Sequence, residues 1–302
     1  MEGNKASLSK KENKQRGLKF KSNGNGTCYL KGTGFFLENN VVIPVVHKGM
    51  RVTGIDQFAF QNCKNLTSVS IPASITAIGE SAFYNCEGLT SLEIPDSVTK
   101  IHDGAFFGCS GLTAITIPTG ITKINSWLFS YCSHLTSVII PDSVTSIGRS
   151  AFRGCHSLKR IDISEHVTSI GEHAFDICQN LANIEVSPNN PNYASVDGVL
   201  FNKEKTELIH YPDAKTGDYI IPDGVKTIMK AAFKDHKHLT RIVIPSSVTA
   251  IGHDAFSLCK KLETIRFMGT VDEWNEISKG YDWRNNIPAT KVICANGAVS
   301  FW

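Results

Sequence analysis

"LTSVSIPASITAIGESAFYNCEG" (residues 66–88) runs without a break into "LTSLEIPDSVTKIHDGAFFGCSG" (residues 89–111), and the second phrase keeps the leucine, Ile-Pro, Ala-Phe and cysteine of the first in register. The phrase is 23 residues long. Ala-Phe pairs or their equivalents mark it at Ala59-Phe60, Ala82-Phe83, Ala105-Phe106, Leu128-Phe129, Ala151-Phe152, Ala174-Phe175, Ala232-Phe233 and Ala255-Phe256. Every step is 23 residues except Phe175 to Phe233, which is 58 and reads as one repeat plus an insertion of 35. A fixed period of this size is the mark of a solenoid, in which a unit too small to bury its own apolar face must stack on its copies.

Within one unit the apolar residues are Leu89, Leu92, Ile94, Val98, Ile101, Ala105, Phe106 and Cys109. The L-x-x-V-x-I part alternates, as a strand buried on one face does. Pro72, Pro95, Pro118, Pro141 and Pro245 end that strand by withholding a ladder donor. The β-branched V-T-x-I segment reads as a second short strand, Gly79, Gly148, Gly171 and Gly252 permit a turn, and A-F-x-x-C-x-x-L has the spacing of a helical turn. The fold class expected is an α/β solenoid, mostly β: a right-handed stack of about eight to nine 23-residue coils with parallel strands, short helical turns and end caps.

Cys63, Cys86, Cys109, Cys132, Cys155, Cys178 and Cys259 share one coil position, where His236 is the substitute. An inner ladder takes a small, soft, apolar side chain there, and a thiol supplies it. Stacked side chains have parallel Cβ vectors, whereas a disulfide needs converging ones, and the total of nine cysteines is odd. No C-x-x-C or C-x-x-H pair offers zinc spacing, so no metal and no cofactor is expected.

The chain has 302 residues, 41% of them apolar, enough for a sizeable core. No apolar run approaches the ~18 residues that would suggest a membrane span, so no membrane insertion is expected. The first sixteen residues carry five basic and two acidic side chains, a balance of +3 that equals the net charge of the whole chain. The remainder is balanced and has no global field to gather nucleic acid. Residues 1–16 read as a disordered basic tail without the apolar stretch of an export signal.

The phrase L-x-x-[IV]-x-I-P-x-x-V-T-x-I-G-x-x-A-F-x-x-C resembles the BspA-like class of leucine-rich repeats over residues 41–267. "NYASVDGVLFNKEKTELIHYPDAKTGDYIIP" (192–222) is similar to a hairpin module that interrupts such proteins, "GTVDEWNEISKGYDWRNNIPATKVICANGAVSF" (269–301) to their C-terminal segment, and "YLKGTGFFLENNVVIPVVHKGMRVTGI" (29–55) to their opening. The division that follows is a tail over 1–16, an N-terminal cap and first irregular coil over 17–56, regular repeats over 57–186, an inserted hairpin module over 187–222, repeats over 223–267 and a C-terminal cap over 268–302. Trp274, Trp283 and Trp302 are expected to shield the last coil. The resemblance implies a non-catalytic binding or adhesion protein, extracellular or at the cell surface, with a protein partner such as a host or cell-surface protein.

Two surfaces are candidates. Alternation turns Ser68/Ser70, Ser91/Glu93, Ala114/Thr116, Ser137/Ile139, Arg160/Asp162, Asn183/Glu185, Asp218/Ile220, Arg241/Val243 and Thr264/Arg266 outward on the first strands, in columns expected to be continuous over every coil. Arg160, Asp162, Asn183, Glu185, Arg241 and Arg266 are its binding candidates. Asp162 and Glu185, one strand spacing apart, also have the separation of a retaining glycosidase pair, against the plainer reading of solvated carboxylates balanced by Arg160. Tyr84 and Phe107, followed by Trp127 and Tyr131, make an aromatic patch on the opposite side, the place for a glycan if the chain is a carbohydrate-binding module. No nucleophile-base spacing and no Gly-rich phosphate loop is present, which argues against an enzyme.

Overall fold

The computed structural model describes residues 17–33 and 38–301. The basic tail and Trp302 lie outside these residues. The chain divides into two compact units, Met1–Leu158 with Ser169–Ala174, and Lys159–Thr168 with Phe175–Trp302.

In the first unit each coil carries two short parallel strands and a turn. First strands pair as Asn40–Val42 with Ser68–Ser70 and as Ala114–Thr116 with Ser137–Ile139. Second strands pair Met50–Ile55, Ala77–Ile78 and Lys100–Ile101 in one ladder, and Lys123–Ile124, Ser146–Ile147 and Ser169–Ile170 in another. The partners Lys123, Ser146 and Ser169 follow at the repeat length, so the sequence period and the sheet register are the same quantity. The antiparallel hairpin of Leu18–Ser22 and Thr27–Thr33 leads into the second-strand ladder. The "HKGM" loop of the opening coil is a tight antiparallel return in which Val46–His47 pairs with Met50–Arg51.

The A-F-x-x-C segment is a tight turn rather than the helical turn its spacing suggests. Its backbone donors alternate. Tyr84 N–H and Cys86 N–H bond within the coil to Ser81 O (3.0 Å) and Phe83 O (3.1 Å), whereas Ser81, Phe83 and Asn85 N–H bond to Asp103 O (3.0 Å), Ala105 O (2.8 Å) and Phe107 O (2.7 Å) of the next coil. A helix would keep all these donors to itself. Alternation needs a left-handed residue twice per turn, and Ser81 (φ 51°) and Asn85 (φ 55°) supply it, as Trp127 (φ 55°) and Tyr131 (φ 60°) do two coils on. Among the described residues the one α-helix is Val271–Glu276, with Thr270 and Glu273 forming a capping box.

Inside the coils, Phe60, Phe83, Phe106, Phe129 and Phe152 stack at 5.0–5.6 Å. All are buried, each worth about 1.5–3 kcal/mol in apolar burial. The cysteines do more than fill space. Cys86 Sγ donates to Phe60 O (3.1 Å), Cys109 to Phe83 O (3.1 Å), Cys132 to Phe106 O (3.2 Å) and Cys155 to Phe129 O (3.1 Å), so each of these thiols ties its coil to the one before. None of the nine cysteines is in a disulfide.

The second unit repeats the plan. Arg160–Ile163 pairs with Asn183–Val186, and Gly217–Ile220, Leu239–Ile244, Thr264–Phe267 and Lys291–Cys294 form a parallel ladder closed by the antiparallel strand Gly297–Ser300. The antiparallel hairpin Tyr193–Val196 and Val199–Asn202 leads into Glu207–His210, which lies parallel to Thr227–Ile228 as a second strand. Buried Asn190 holds the hairpin's entry, its Nδ2 donating to Ser164 O (2.7 Å) and Val167 O (2.9 Å) while its Oδ1 accepts from Asn192 and Tyr193 N–H (both 2.8 Å).

The 58-residue step differs from the expectation of one repeat plus 35 residues. Tyr211 stacks on Phe233 at 4.9 Å, and its N–H bonds to Ala232 O, so Tyr211 holds the phenyl station of a further coil. Its sequence is disguised, with His210-Tyr211 standing for Ala-Phe. In the next coil His236 replaces the thiol as donor to the preceding coil. Its Nε2 donates to Pro212 O (3.2 Å) and its Nδ1 accepts from Leu239 N–H (2.9 Å). The C-terminal segment also completes a coil, with Trp283 edge-on to Phe256 at 6.2 Å and Trp274 and Trp283 buried. The solenoid therefore has about 11 turns rather than eight to nine.

Candidate functional site

On the second unit's first-strand face, register brings Arg160 opposite Asn183 and Asp162 opposite Glu185. Arg160 and Asp162 are two residues apart and so share the outward face. The guanidinium donates through Nε (2.7 Å) and Nη2 (2.6 Å) to one carboxylate oxygen, Asp162 Oδ1. This hydrogen bond and the Asp162 charge, with a smaller contribution from Glu185, raise the Arg160 pKa. Both side chains remain more than half exposed, at 59% and 69%, so Asp162 is a solvated ion-pair partner of Arg160.

Arg241 and Arg266 belong to a different ladder. Asp218 lies opposite Arg241, whose Nη1 is 3.9 Å from Asp218 Oδ2, while Thr240 Oγ1 donates to Asp218 Oδ1 (3.1 Å). Arg241 Nε is buried without a partner among the described residues. Arg266 lies opposite Val243 and is exposed. The six candidates thus fall into two charged groups, one of four residues and one of two.

The first unit's face is polar but not continuous. Ser91–Ile94 joins neither Ser68–Ser70 nor Ala114–Thr116 in a ladder. A groove of about 660 Å³ opens there between Glu93, Ile94, Ala114 and Thr116, with Ile139 63% exposed on its wall. The second-strand ladder also breaks nearby, between Lys100–Ile101 and Lys123–Ile124. Several other coils close on a glycine, and a Cβ on Gly148 would lie 2.6 Å from Ser126 N. Asn125 stands at the same station, and its side-chain amide rather than its backbone reaches Ile101 O.

On the turn side, the Tyr84 and Phe107 rings stack at 4.9 Å with an interplanar angle of 9°, and Tyr131 meets Phe107 edge-on at 5.4 Å. The structure brings these three together. Trp127 lies four residues before Tyr131 and is 43% exposed, and among the described residues no ring contact joins it to them.

Asp213 was not legible as a special residue, because an aspartate after Tyr-Pro reads as a solvated turn. It is buried beside a small pocket lined by Ile177, Asn180, Asp235, Lys237 and His238. Burial, then the Asp176 and Asp235 charges, push its carboxyl up to about 8, against the pull of Lys237 and a hydrogen bond from Cys178 N–H. Burial also holds neighbouring His236 down at about 4. Among the described residues no group of three His, Cys, Asp or Glu side chains is arranged to hold a metal, and no helix is long and apolar enough to cross a membrane.

A model of the BspA type leucine rich repeat region matches in six copies, over residues 40–158, 103–217 and 210–278. Among solved structures, a leucine rich cell surface protein from Faecalibacterium prausnitzii is 27% identical with a TM-score of 0.67, over 87% of this chain and 96% of that one. A leucine-rich repeat protein from Bacteroides ovatus is 26% identical with a TM-score of 0.61, over 92% and 77%. The pneumococcal vaccine antigen PcpA, 22% identical with a TM-score of 0.73 over 93% and 80%, has a similar fold. No curated protein matches the chain. The repeat phrase, the stacked coils that it builds and the family match over most of the length agree, and this chain belongs to the BspA-type leucine-rich repeat family.

Proposed function

We propose that this chain is a non-catalytic scaffold, displayed at a cell surface, that binds a protein partner on its first-strand face. The observation that carries the reading is the pair of charged groups held in fixed register on that face, Arg160, Asp162, Asn183 and Glu185 on one ladder and Arg241 with Arg266 on another. Ladder bonds fix these side chains' backbones before binding, so less ordering cost remains at association. Exposed charges of both signs act mainly on encounter and register. Likeness to a leucine rich cell surface protein supports the location.

The test is surface plasmon resonance of the immobilised chain against fractionated host-cell surface and extracellular-matrix proteins at two ionic strengths. The expected result is a captured protein whose affinity falls about tenfold, with a flattened salt response, for the triple variant Arg160→Ala, Arg241→Ala, Arg266→Ala. A captured protein whose affinity and salt response are the same for the triple variant would contradict the assignment.

A further inference from the structure

The joint between the coil of residues 89–111 and the coil of residues 112–134 lacks bonds that its neighbours keep. Among the described residues of the first unit it is the one joint at which both ladders are interrupted, since no pairing joins Ser91–Ile94 to Ala114–Thr116 or Lys100–Ile101 to Lys123–Ile124. On either side of it, Thr99 N–H bonds to Thr76 O (3.0 Å) and Thr145 N–H to Thr122 O (2.8 Å), but among the described residues no such bond runs from Thr122 to Thr99. Ser97 Oγ ties its coil to Ile75 O and Ser143 Oγ ties its coil to Ile121 O, both at 2.7 Å. Gly120 stands between them at the same station and has no hydroxyl to give. At Asn125 the side-chain amide takes Ile101 O, whereas at this station His102 and Gly148 use the backbone N–H, to Ile78 O (3.0 Å) and Ile124 O (2.7 Å).

These two coils are held together at the turn instead. Gly104, Phe106 and Gly108 N–H bond to Ser126 O (2.9 Å), Leu128 O (3.1 Å) and Ser130 O (2.8 Å), Cys132 Sγ donates to Phe106 O (3.2 Å), and the Phe106 and Phe129 rings stack at 5.6 Å. Where the turn runs into the first strand, Thr113 reaches Thr90 O through its N–H and its hydroxyl, both at 3.3 Å. Both left-handed stations of the turn are glycine, Gly104 (φ 58°) and Gly108 (φ 70°). The other turns of the first unit, at Phe58/Asn62, Ser81/Asn85, Trp127/Tyr131 and Ser150/Gly154, carry at most one. Glycine meets the least steric hindrance across φ/ψ space, so this is the turn whose backbone most readily absorbs a change of angle.

We propose that this joint is a hinge, with its pivot at the glycine turn, and that its rotation opens and closes the groove on the first-strand face. Glu93 and Ile94 line the groove from one side of the joint and Ala114, Thr116 and Ile139 from the other, so the angle at the turn sets the groove's width. Gly104 and Gly108 loosen the pivot, while Gly120 and Asn125 release the second strands from each other. The Phe106 and Phe129 rings, 8° from parallel, lie beside the pivot and stay in contact as the strands part. Closing pairs Ser91–Ile94 with Ala114–Thr116, and opening gives the same backbone groups to water. A hydrogen bond exchanged for one to water changes the free energy little, so the two states lie close together. The hinge belongs to the first unit and does not depend on the charged groups around Arg160 and Arg241.

The test is double electron–electron resonance between nitroxides at Ser70 and Ser137, exposed first-strand positions on either side of the joint. The labels are attached through a genetically encoded ketone amino acid, which leaves the native cysteines untouched. The comparison is a variant whose joint carries the residues of neighbouring coils, Gly104→Ser, Gly108→Asn, Gly120→Ser and Asn125→Gly. The parent is expected to give a distance distribution at least twice as wide as the variant's, and the variant a shorter mean distance. Thermal melting shows whether the fourfold variant folds. If it does not, Gly120→Ser with Asn125→Gly, which leave the turn as it is, carries the same comparison. Equal widths in the parent and the folded variant would overturn the hinge. That failure leaves the first-strand reading standing, because that reading is tested with a protein partner and with residues of the second unit.

Discussion

Cys259 and His236 hold one position in successive coils, and their comparison shows what the position asks for. Cys259 Sγ donates to Phe233 O at 2.9 Å, while His236 donates to Pro212 O at 3.2 Å. Both are buried donors to the preceding coil, so what the two side chains share is the donor and not the volume. The thiol column was legible from spacing, but its hydrogen bonds were not, since sequence does not say which carbonyl the sulfur meets. Asp213 lies one residue beyond Pro212, and with His236 it predicts a pH dependence. Folding raises the Asp213 pKa from 3.8 to about 8, so its contribution to stability is present at low pH and is lost as pH rises towards 8. Folding lowers the His236 pKa from 6.5 to about 4, so its contribution is present above 6.5 and is lost as pH falls towards 4. The two trends oppose each other below pH 6.5, and above it only the Asp213 trend remains. Urea midpoints should therefore fall between pH 6.5 and 8, and Asp213→Asn should flatten that fall. An equal fall in the variant would show that Asp213 is not its source.

At the scale of the element, the strands were read well and the turn was not. L-x-x-V-x-I and V-T-x-I alternate, and alternation maps directly onto a strand buried on one face, as Arg160–Ile163 shows with Ile161 and Ile163 in and Arg160 and Asp162 out. The three-residue spacing of A-F-x-x-C matches a helix equally well as a chain of tight turns, and only the bonds from Phe83 and Asn85 to the next coil separate the two. Those bonds are long-range, so a local pattern cannot contain them. The disguised coil around Tyr211 escaped for a related reason: its second strand and phenyl station are recognised by partners one coil away. Turn glycines have two distinct roles that predict opposite responses. Gly148→Ala should cost roughly 2–4 kcal/mol, because the added Cβ would lie 2.6 Å from Ser126 N, a backbone atom that has little room to move. Ser81→Gly, at a φ of 51°, should leave stability unchanged or raise it by up to about 1 kcal/mol, as relief of left-handed strain offsets the glycine's extra chain entropy. Chemical denaturation of both variants checks the contrast, and a Gly148→Ala protein as stable as the parent would refute the close coil approach.

For the whole molecule, the repeat is both the structural unit and the means by which surface residues are brought into columns. A one-coil step moves a residue to its equivalent on the next coil, so Asp162 meets Glu185 and Tyr84 meets Phe107 although neither pair is close in sequence. The polar first-strand columns were legible from this rule. Their interruption at Ser91–Ile94 was not, because it reflects how closely particular coils approach and not which residues face outward. The aromatic patch was half legible: period placed Tyr84 under Phe107, but the clearance that Gly154 gives Tyr131 depends on backbone geometry. All of this rests on coils that are interchangeable and touch only their neighbours. The most direct measurement of that claim is the denaturation of two deletions, one removing the 23 residues Leu89–Gly111 and the other the 12 residues Leu89–Lys100. Removing the whole unit brings Leu112 to the station of Leu89 and should leave a cooperative unfolding transition, whereas removing about half of it puts strand against turn and should abolish cooperativity. Equal tolerance of the two deletions, or loss of cooperativity in both, would contradict the stacked-coil account.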